Sequence, residues 1–361
     1  MRSLAPLVSC ALAACTTASG AAPDLSVEAE GPRLVGTSHG TVTDDARGRT
    51  LDYQVWYPTP AEPSGVQIER LEDARRADYG TLLAGAPACP TRVTRLTIEA
   101  AKPDDGPFPV VLFSHCHECT RLSSASIAAR LASHGFLVYA VEHAGNTLWD
   151  QLAGTGVPLN GEFLEVRAAD VRFVLDRIAA RDLPYSDLAD TARVGMFGHS
   201  FGAVTTGRVA QLDARISAAL ALNAPFENPL IPGVTLAEIK VPVMFVVAQE
   251  DNSITELGNV LMRNNFRDAP VEAWKLEMPD AGHWSVSDLA GLVPAFAPGC
   301  GDGTRQTDGA PFTYLDPGLG RSIGASYVTA FFRTTLLQDA GTRAYLDAIS
   351  PTTALVTEHH R

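Results

Sequence analysis

Short apolar runs typical of buried strands alternate with longer helical patterns along most of this chain. Residues 109–114 (PVVLFS) form a continuous apolar run, and 124–134 then show helical spacing that ends near Gly135. This alternation predicts a mostly parallel sheet with helices on both faces, in which ligands sit outside the carboxyl ends of the strands. The same patterns predict further strands at 51–57, 136–141, 193–197, 216–222, 241–248 and 271–278, and further helices at 165–181, 203–212, 254–266 and 322–337.

The pattern Gly-x-Ser-x-Gly occurs three times, at 36–40, 198–202 and 320–324. A nucleophile elbow needs an apolar strand before the serine and a helix directly after it. The match at 36–40 runs into strand-forming residues, and the match at 320–324 follows a loop containing Pro and Gly. Only 198–202 has both flanks, so Ser200 is the predicted nucleophile.

A serine hydroxyl needs a general base that is oriented by an acid, and in this arrangement the acid precedes the histidine in the chain. His283 follows a predicted strand and lies after both Ser200 and an acidic strand end. That strand end holds Glu250 and Asp251, of which Asp251 is the favoured acid. Asp280 is close to His283 in sequence and is interpreted as a turn residue.

The predicted oxyanion hole uses the backbone N–H of Phe201, the residue after the nucleophile, and a second N–H from the loop after an early strand. That loop is 114–119 (SHCHEC), in which either Cys116 or His117 supplies the donor. Because the donor is main chain, the side chain at this position is free to vary. His115 and His199 are interpreted as structural residues beneath the elbow.

Several further motifs occur together: Phe113-Ser114-His115, Arg121, Ser124, 131–136 (LASHGF), 140–143 (AVEH) and 198–202 (GHSFG). As a set they resemble the platelet-activating factor acetylhydrolase family. The resemblance implies an α/β-hydrolase fold, a serine nucleophile, no metal or cofactor, and hydrolysis of carboxylic esters. It also implies that Ser200 and His283 are nucleophile and base, and that Phe201 and His117 are the oxyanion donors.

Two positions depart from that family. The animal enzymes carry their acid directly after the strand that follows the elbow helix, where this chain has Asn223. An amide cannot stabilise an imidazolium as a carboxylate does, so the acid is expected at Asp251, as in dienelactone-hydrolase-like esterases and polyester hydrolases. The second departure is Cys116 in place of the usual Gly of the oxyanion loop, with Cys119 nearby. Dienelactone hydrolases themselves use a Cys nucleophile, which Ser200 argues against.

The N-terminus has the pattern of a bacterial lipoprotein signal. Residues 1–14 start with a positive charge and continue as small, mostly apolar residues, and they lead to Leu12-Ala13-Ala14-Cys15. We expect Cys15 to be lipidated, 15–32 to be a flexible tether, and 33–361 to form one α/β-hydrolase domain. The protein would then lie in the bacterial periplasm or cell envelope. The alternative is a simple secreted protein with an incidental cysteine.

Export would place the remaining cysteines in an oxidising compartment. Cys89, Cys116, Cys119 and Cys300 then favour two disulfides, with three possible connectivities. The competing interpretation is a metal or redox site at Cys116 and Cys119, but a single C-x-x-C without a second ligand pair is weak support for it.

The charge balance narrows the class of partner. Lys and Arg number 28 against 41 Asp and Glu, which gives a net charge of −13. Such a surface repels nucleic acids and anionic membranes, so contact with a membrane is expected only through the lipid anchor. The predicted function is exported ester hydrolysis through an acyl-enzyme, with a small-molecule or lipid-like ester as substrate. The alternatives are an amidase or peptidase on the same scaffold and a non-catalytic binding lipoprotein.

Other residues near the predicted site have open roles. Aromatic residues could line an acyl pocket or simply belong to the core. Residues 145–162 could be a lid or a surface loop, and Asp302 and Asp308 fit a turn better than a calcium loop. The aromatic candidates are Trp149, Phe163, Phe226 and Trp284.

Overall fold

The computed structural model describes residues 20–62, 73–86, 98–99 and 101–361. Strands and helices alternate through this part of the chain. The strands are β1 Leu34–Asp44, β2 Arg49–Thr59, β3 Ile98–Glu99, β4 Phe108–Ser114, β5 Leu137–Val141, β6 Ala189–His199, β7 Ile216–Leu222, β8 Val243–Ala248, β9 Ala273–Met278, β10 Asp302–Thr304, β11 Pro311–Thr313 and β12 Glu358–His360. The helices are α1 Asp73–Gly85, α2 Ala125–Ser133, α3 Leu148–Ala153, α4 Gly161–Ala179, α5 Phe201–Leu212, α6 Thr255–Asp268, α7 Pro317–Leu336 and α8 Ala340–Leu346.

In the described residues, ten strands form one sheet in the order β12-β9-β8-β7-β6-β4-β5-β2-β1-β3. The six central strands, β4 to β9, run parallel to one another. Strands β2 and β1 extend the sheet beyond β5; β2 is antiparallel to β5, and β1 is antiparallel to β2. The predicted mostly parallel sheet is therefore confirmed.

Both faces of the sheet are covered, as the continuous apolar strands predicted. Along β4, Val111 and Phe113 pack with helices α2, α7 and α8, whereas Val110 and Leu112 pack with α4, α5 and α6. Because side chains alternate between faces, a strand buried on both sides must be apolar at every position. Each fully buried aliphatic side chain of this kind contributes about 1.5–3 kcal/mol to folding.

Helix α7 and strand β12 are two of the elements that differ from the sequence predictions. Helix α7 begins at Pro317, five positions before the predicted start at Ser322, because the Asp316 side chain accepts a hydrogen bond from the Leu319 N–H (2.9 Å) and caps the helix. The stretch before the third Gly-x-Ser-x-Gly match is thus a helix start and not a loop. Strand β12 was not predicted; it pairs antiparallel with the sheet-edge strand β9.

The segment before β1 is held against the body, which corrects part of the predicted tether over 15–32. Val27 is fully buried, and the Glu28 carboxylate accepts hydrogen bonds from the hydroxyls of Tyr345 (3.1 Å) and Ser350 (2.6 Å). Gly31 N–H donates to the Ser133 hydroxyl at the end of α2 (2.8 Å). A flexible tether can therefore extend only over residues before this segment. Residues 1–19, including Cys10 and Cys15, lie outside the described residues.

Among the described residues, we find no helix that combines the length and the apolar character needed to cross a membrane.

Candidate active site

The carboxyl ends of the central strands meet at one edge of the sheet. Ser114 at the end of β4 pairs with Gly198 of β6, and His199 of β6 pairs with Leu222 of β7. The last residue of β8 likewise pairs with the last residue of β9. The loops that follow these strands therefore converge, and they carry all the catalytic residues predicted from the sequence.

Ser200 occupies a sharp turn between β6 and α5. Its backbone has φ 56° and ψ −121°, a conformation that L residues rarely adopt. The flanking glycines make the turn possible: a Cβ on Gly198 would lie 2.0 Å from the Gly202 carbonyl oxygen, and a Cβ on Gly202 would lie 1.9 Å from that of Ser114. This is the geometry of a nucleophile elbow, with the Ser200 side chain partly exposed.

The structure brings His283 and Asp251 together. His283 Nδ1 lies 2.7 Å from Asp251 Oδ2, and both side chains are buried. The other Asp251 oxygen accepts hydrogen bonds from two backbone N–H groups, those of Ser253 (2.9 Å) and Ile254 (3.0 Å). The carboxylate is thus held in one orientation, with one oxygen directed at the imidazole.

The other acid candidates have different partners. The Glu250 carboxylate pairs with Arg305 (2.8 Å), and the Asp280 carboxylate pairs with the same guanidinium (2.6 Å). Asn223 donates from Nδ2 to the main-chain carbonyl of His283 (2.9 Å), so it holds the backbone of the histidine and not its ring. Of these residues, only Asp251 contacts the ring nitrogen of His283.

His283 is close to the elbow from the other side as well. His199 donates from Nε2 to the His283 carbonyl (2.9 Å), and the two rings lie 4.8 Å apart. Within the described residues, no hydrogen bond joins Ser200 Oγ to His283. Catalytic hydrogen bonds are often long in the absence of substrate and shorten only when it binds.

The loop after β4 faces the elbow and is closed by a disulfide. Cys116 and Cys119 are bonded to each other, with His117 and Glu118 between them. Cys300 is also disulfide-bonded, and Cys89 lies outside the described residues. No group of three or more metal-ligating side chains occurs in the part of the chain that the structure describes.

The two segments predicted to carry the oxyanion donors are adjacent. The His117 and Phe201 rings lie 6.4 Å apart, edge to face. The Phe201 N–H belongs to the first turn of α5, where backbone N–H groups have no partner within the helix and attract negative charge.

Beneath this loop lies a fully buried polar network centred on Arg167 of α4. Its Nη2 group donates to Ser114 Oγ (3.1 Å) and to the His115 carbonyl, and its Nη1 group donates to Asn146 Oδ1 (2.7 Å). Asn146 Nδ2 in turn lies 2.6 Å from His117 Nδ1. Arginine has only donors, so the Asn146 atom that faces Arg167 must be the amide oxygen. The Asn146 NH₂ group then donates to His117 Nδ1. A neutral His117 ring therefore carries its proton on Nε2.

The same network contains another serine, histidine and aspartate that are joined in a row, in addition to Ser200, His283 and Asp251. Ser114 Oγ lies 3.0 Å from His143 Nε2, and His143 Nδ1 lies 3.1 Å from Asp170 Oδ2. Asp170 also pairs with Arg47 (2.8 Å) and Arg49 (2.9 Å). This array was not predicted from the sequence, although Arg167 and Asp170 both interrupt the apolar stripe of α4, which is the signal that marks them.

Burial determines the protonation of the histidines in this region. It lowers the pKa of His143 to about 4, with a further lowering by the Arg167 charge. Burial also holds the pKa values of His115 and His199 well below their usual range. The pKa of His117 is lowered by burial as well, against an opposing effect of the Glu118 carboxylate. These rings are neutral at physiological pH.

A cavity of about 240 Å³ opens beside Ser200. Its walls are mainly aliphatic, and three leucines at its rim are exposed: Leu159 (39%), Leu230 (72%) and Leu257 (58%). The remaining lining residues are Phe201, Val204, Ala224, Pro225, Asn228, Ile231, Ser253, Ile254, Gly258 and Leu261. The cavity is smaller than the pockets of roughly 300–1,000 Å³ that hold drug-sized ligands, so it suits a small apolar group.

None of the aromatic residues considered from the sequence lines this cavity. Phe226 is fully buried against Phe245, and Trp284 packs on Phe296, so both belong to the core. Phe163 is also in the core, and Trp149 lines a separate cavity of about 490 Å³.

The stretch 145–162 is structured. It contains helix α3 and leads into α4, and its Leu159 reaches the cavity rim. Asp302 accepts a hydrogen bond from the Thr313 hydroxyl (2.8 Å) and Asp308 from the Ala310 N–H (2.9 Å), as expected for hairpin and turn residues.

Two family models match the chain. The PET hydrolase-like model matches residues 109–287, and the model of platelet-activating factor acetylhydrolase, isoform II, matches residues 31–149. A fungal protein of Arthroderma benhamiae, named probable 1-alkyl-2-acetylglycerophosphocholine esterase, is 31% identical over 206 residues, which are 53% of this chain and 51% of the relative. The chain thus spans about half the length of that relative.

Two further comparisons extend the likeness. A protein of Escherichia coli K12, named provisionally as a carboxymethylenebutenolidase, is 26% identical over 217 residues, covering 56% of this chain and 77% of the relative. The solved structure of a ferulic acid esterase from Streptomyces cinnamoneus superposes with a TM-score of 0.70 at 22% identity, covering 93% of this chain and 99% of that one.

The parallel sheet, the nucleophile elbow and the structural match show that the chain has the α/β-hydrolase fold. Its sequence is similar to the platelet-activating factor acetylhydrolases and the PET hydrolase-like proteins. The resemblance inferred from the sequence motifs is confirmed.

Proposed function

We propose that this protein is a carboxylic ester hydrolase that works through Ser200, His283 and Asp251. The observation that carries the proposal is a serine at a nucleophile elbow beside a histidine whose Nδ1 lies 2.7 Å from a buried carboxylate. The esterase names of the relatives support the same reaction class. The aliphatic cavity beside Ser200 favours esters with small apolar acyl groups.

In the proposed reaction, Ser200 Oγ attacks the ester carbonyl carbon while His283 Nε2 takes the hydroxyl proton. The carbonyl π electrons move to the oxygen, which the backbone N–H groups of Phe201 and His117 stabilise. Collapse of this intermediate breaks the ester bond, and the alcohol leaves with the proton from His283. Water then attacks the acyl-enzyme with His283 again as base, which releases the acid and restores Ser200.

The test is labelling by a fluorophosphonate probe together with turnover of p-nitrophenyl acetate. We expect the wild type to be labelled, and Ser200→Ala to lose labelling and at least about 10⁴-fold in kcat. Ser114→Ala is the matched control, because Ser114 also lies near a histidine but is fully buried. Its labelling should be retained. A Ser200→Ala variant that kept most of its turnover would contradict the mechanism, and an unlabelled wild type would favour a non-catalytic binding protein.

We also propose that the protein is exported and anchored through a lipid on Cys15. The signal-like residues 1–14 and the lipobox-like Leu12-Ala13-Ala14-Cys15 support this proposal. In a bacterial host, Cys15→Ser should abolish metabolic labelling with a palmitate analogue and move the protein from the membrane fraction to the soluble fraction. Membrane association that survives this substitution would contradict the anchor.

A further inference from the structure

Arg167 is the least expected group of the site, because its charge is buried without a carboxylate in direct contact. The Asp170 carboxylate acts on it only through space and is shared with Arg47 and Arg49. Its side chain is fully buried, and its acceptors are the Ser114 hydroxyl, the His115 carbonyl and the Asn146 amide oxygen, all of them neutral. Within the described residues it contacts no carboxylate, and its Nε has no hydrogen-bond partner. A buried charge without an opposite charge in contact is costly and needs a reason.

The position of this charge suggests the reason. The Arg167 guanidinium lies 4.5 Å from the centre of the Phe201 ring, stacked as a cation–π pair. On its other side it holds the loop after β4 through the His115 carbonyl, and through Asn146 it fixes the His117 ring. One side chain therefore contacts both segments that carry the proposed oxyanion donors.

We propose that Arg167 is a positioning residue of the oxyanion hole, which aligns its two segments and supplies behind it a positive charge that no contacting carboxylate neutralises. This inference rests on the proposed function. Negative charge develops on the carbonyl oxygen only as Ser200 attacks, so a fixed positive charge nearby favours the transition state over the bound ester. Its loss should therefore lower kcat much more than it changes KM.

The sharpest test places a carboxylate in direct contact with Arg167. Asn146→Asp places a carboxylate on the Nη1 group, where the amide oxygen now lies 2.7 Å away. The new ion pair should keep or raise the free energy of unfolding, while kcat for p-nitrophenyl acetate falls about tenfold to hundredfold. The measurement is made at pH 8, so that the His117 ring beside the new carboxylate stays neutral while Arg167, whose pKa is lowered by burial to about 9, keeps its charge.

Asn146→Ala is the matched control, because it also removes the donation to His117 but adds no charge beside Arg167. We expect its kcat to fall less than that of Asn146→Asp although its stability is lower. A purely structural role for Arg167 predicts the opposite ranking, with the stabilised aspartate variant as the more active one, and that result would overturn the proposal.

Direct replacement of the arginine adds a second readout. Arg167→Lys keeps the positive charge but loses the two separate NH₂ groups of the guanidinium. Its kcat should be higher than that of Arg167→Met. A small trifluoromethyl ketone without a peptide portion forms a tetrahedral adduct with the active serine, in which the former carbonyl oxygen is negative. The inhibition constant of this ketone should rise in parallel with the loss of kcat, while KM stays within about threefold of the wild-type value.

Arg130→Met is the control for removing a largely buried arginine elsewhere. Arg130 donates to the Val27 carbonyl (2.9 Å), away from the oxyanion loop, so kcat and ketone binding should stay at wild-type values. If Arg167→Met fails to fold, the Asn146 pair and Arg167→Lys decide the question. If the wild type is active and Asn146→Asp has the same kcat, the role of Arg167 is refuted but the proposed function stands. If the wild type itself is inactive, the proposed function is refuted.

Discussion

The described residues contain two arrays of serine, histidine and aspartate, and the two differ in burial and surroundings. In the array at the sheet edge, Asp251 holds His283 next to the partly exposed Ser200 of the elbow. In the array beneath the oxyanion loop, a carboxylate and an imidazole meet at a similar distance, 3.1 Å, beside a fully buried serine. Residue identity and hydrogen-bond distance therefore do not distinguish the array that we propose to be catalytic from the buried one.

Environment makes the distinction. The pKa of His143 is lowered to about 4 by burial, so this ring is a poor proton acceptor at neutral pH. Ser114 Oγ is further occupied by a hydrogen bond from Arg167, and the residue lies in regular strand β4 without a strained turn. Asp170 is shared with two arginines. The buried array (Ser114, His143 and Asp170) thus holds neighbouring segments rigidly in place. The edge array (Ser200, His283 and Asp251) leaves its serine accessible to a ligand.

The largest expected difference between the arrays is in turnover. Asp251→Asn should lower kcat about 10⁴-fold, because an amide cannot stabilise the imidazolium that forms on His283. Asp170→Asn should change kcat of the folded protein by no more than about threefold. Steady-state kinetics on p-nitrophenyl acetate measures both, with Glu250→Gln as the neighbouring control at close to wild-type rate. Equal losses in Asp251→Asn and Glu250→Gln would show that the acid is misassigned.

Stability should show the reverse ranking. Asp170→Asn leaves two arginines without their buried carboxylate and should cost about 3 kcal/mol in the free energy of unfolding. Asp251→Asn should cost no more than about 1 kcal/mol, because its neighbours include no buried cation that loses its only partner. Urea titration followed by circular dichroism compares the two variants. A smaller loss for Asp170→Asn than for Asp251→Asn would remove the structural role assigned to the buried array.

The buried histidines predict a smaller, pH-dependent effect. The folded pKa of His143 lies near 4 and its unfolded value near 6.5, so below pH 6.5 the unfolded state binds more protons. The stabilising contribution is complete above pH 6.5 and is lost as pH falls towards 4, at about 1.4 kcal/mol per pH unit for this residue. Urea titrations at pH 7.5, 6 and 5 measure the slope. His143→Gln should reduce it by that amount, and an unchanged slope would refute the assignment.

The parts of the site that could be predicted from the sequence are those set by local pattern. The elbow around Ser200 is recognisable because a strand pattern, two glycines and a helix pattern are contiguous. His283 and Asp251 follow from chain order, and the assignment of the acid was supported by the amide at Asn223. These inferences need no knowledge of how distant segments pack.

The buried array and the cavity could not be predicted because they depend on long-range packing. Arg167 meets Ser114 across 53 positions, and no local pattern encodes that contact. The cavity joins Leu159, Leu230 and Leu257 from three separate segments. Strand β12 and the packed Val27 segment likewise depend on the surface that the rest of the chain provides.

The attachment of the first described residues sets the side of the body from which a tether would leave if the protein is anchored through Cys15 as we propose. Helix α2 starts near the carboxyl edge of the sheet and ends at Ser133, where Gly31 docks (2.8 Å). The segment that precedes β1 is thus fastened at the end of α2 away from that edge. With the anchor attached on this side, the edge that carries Ser200 would stay accessible to esters in the surrounding fluid.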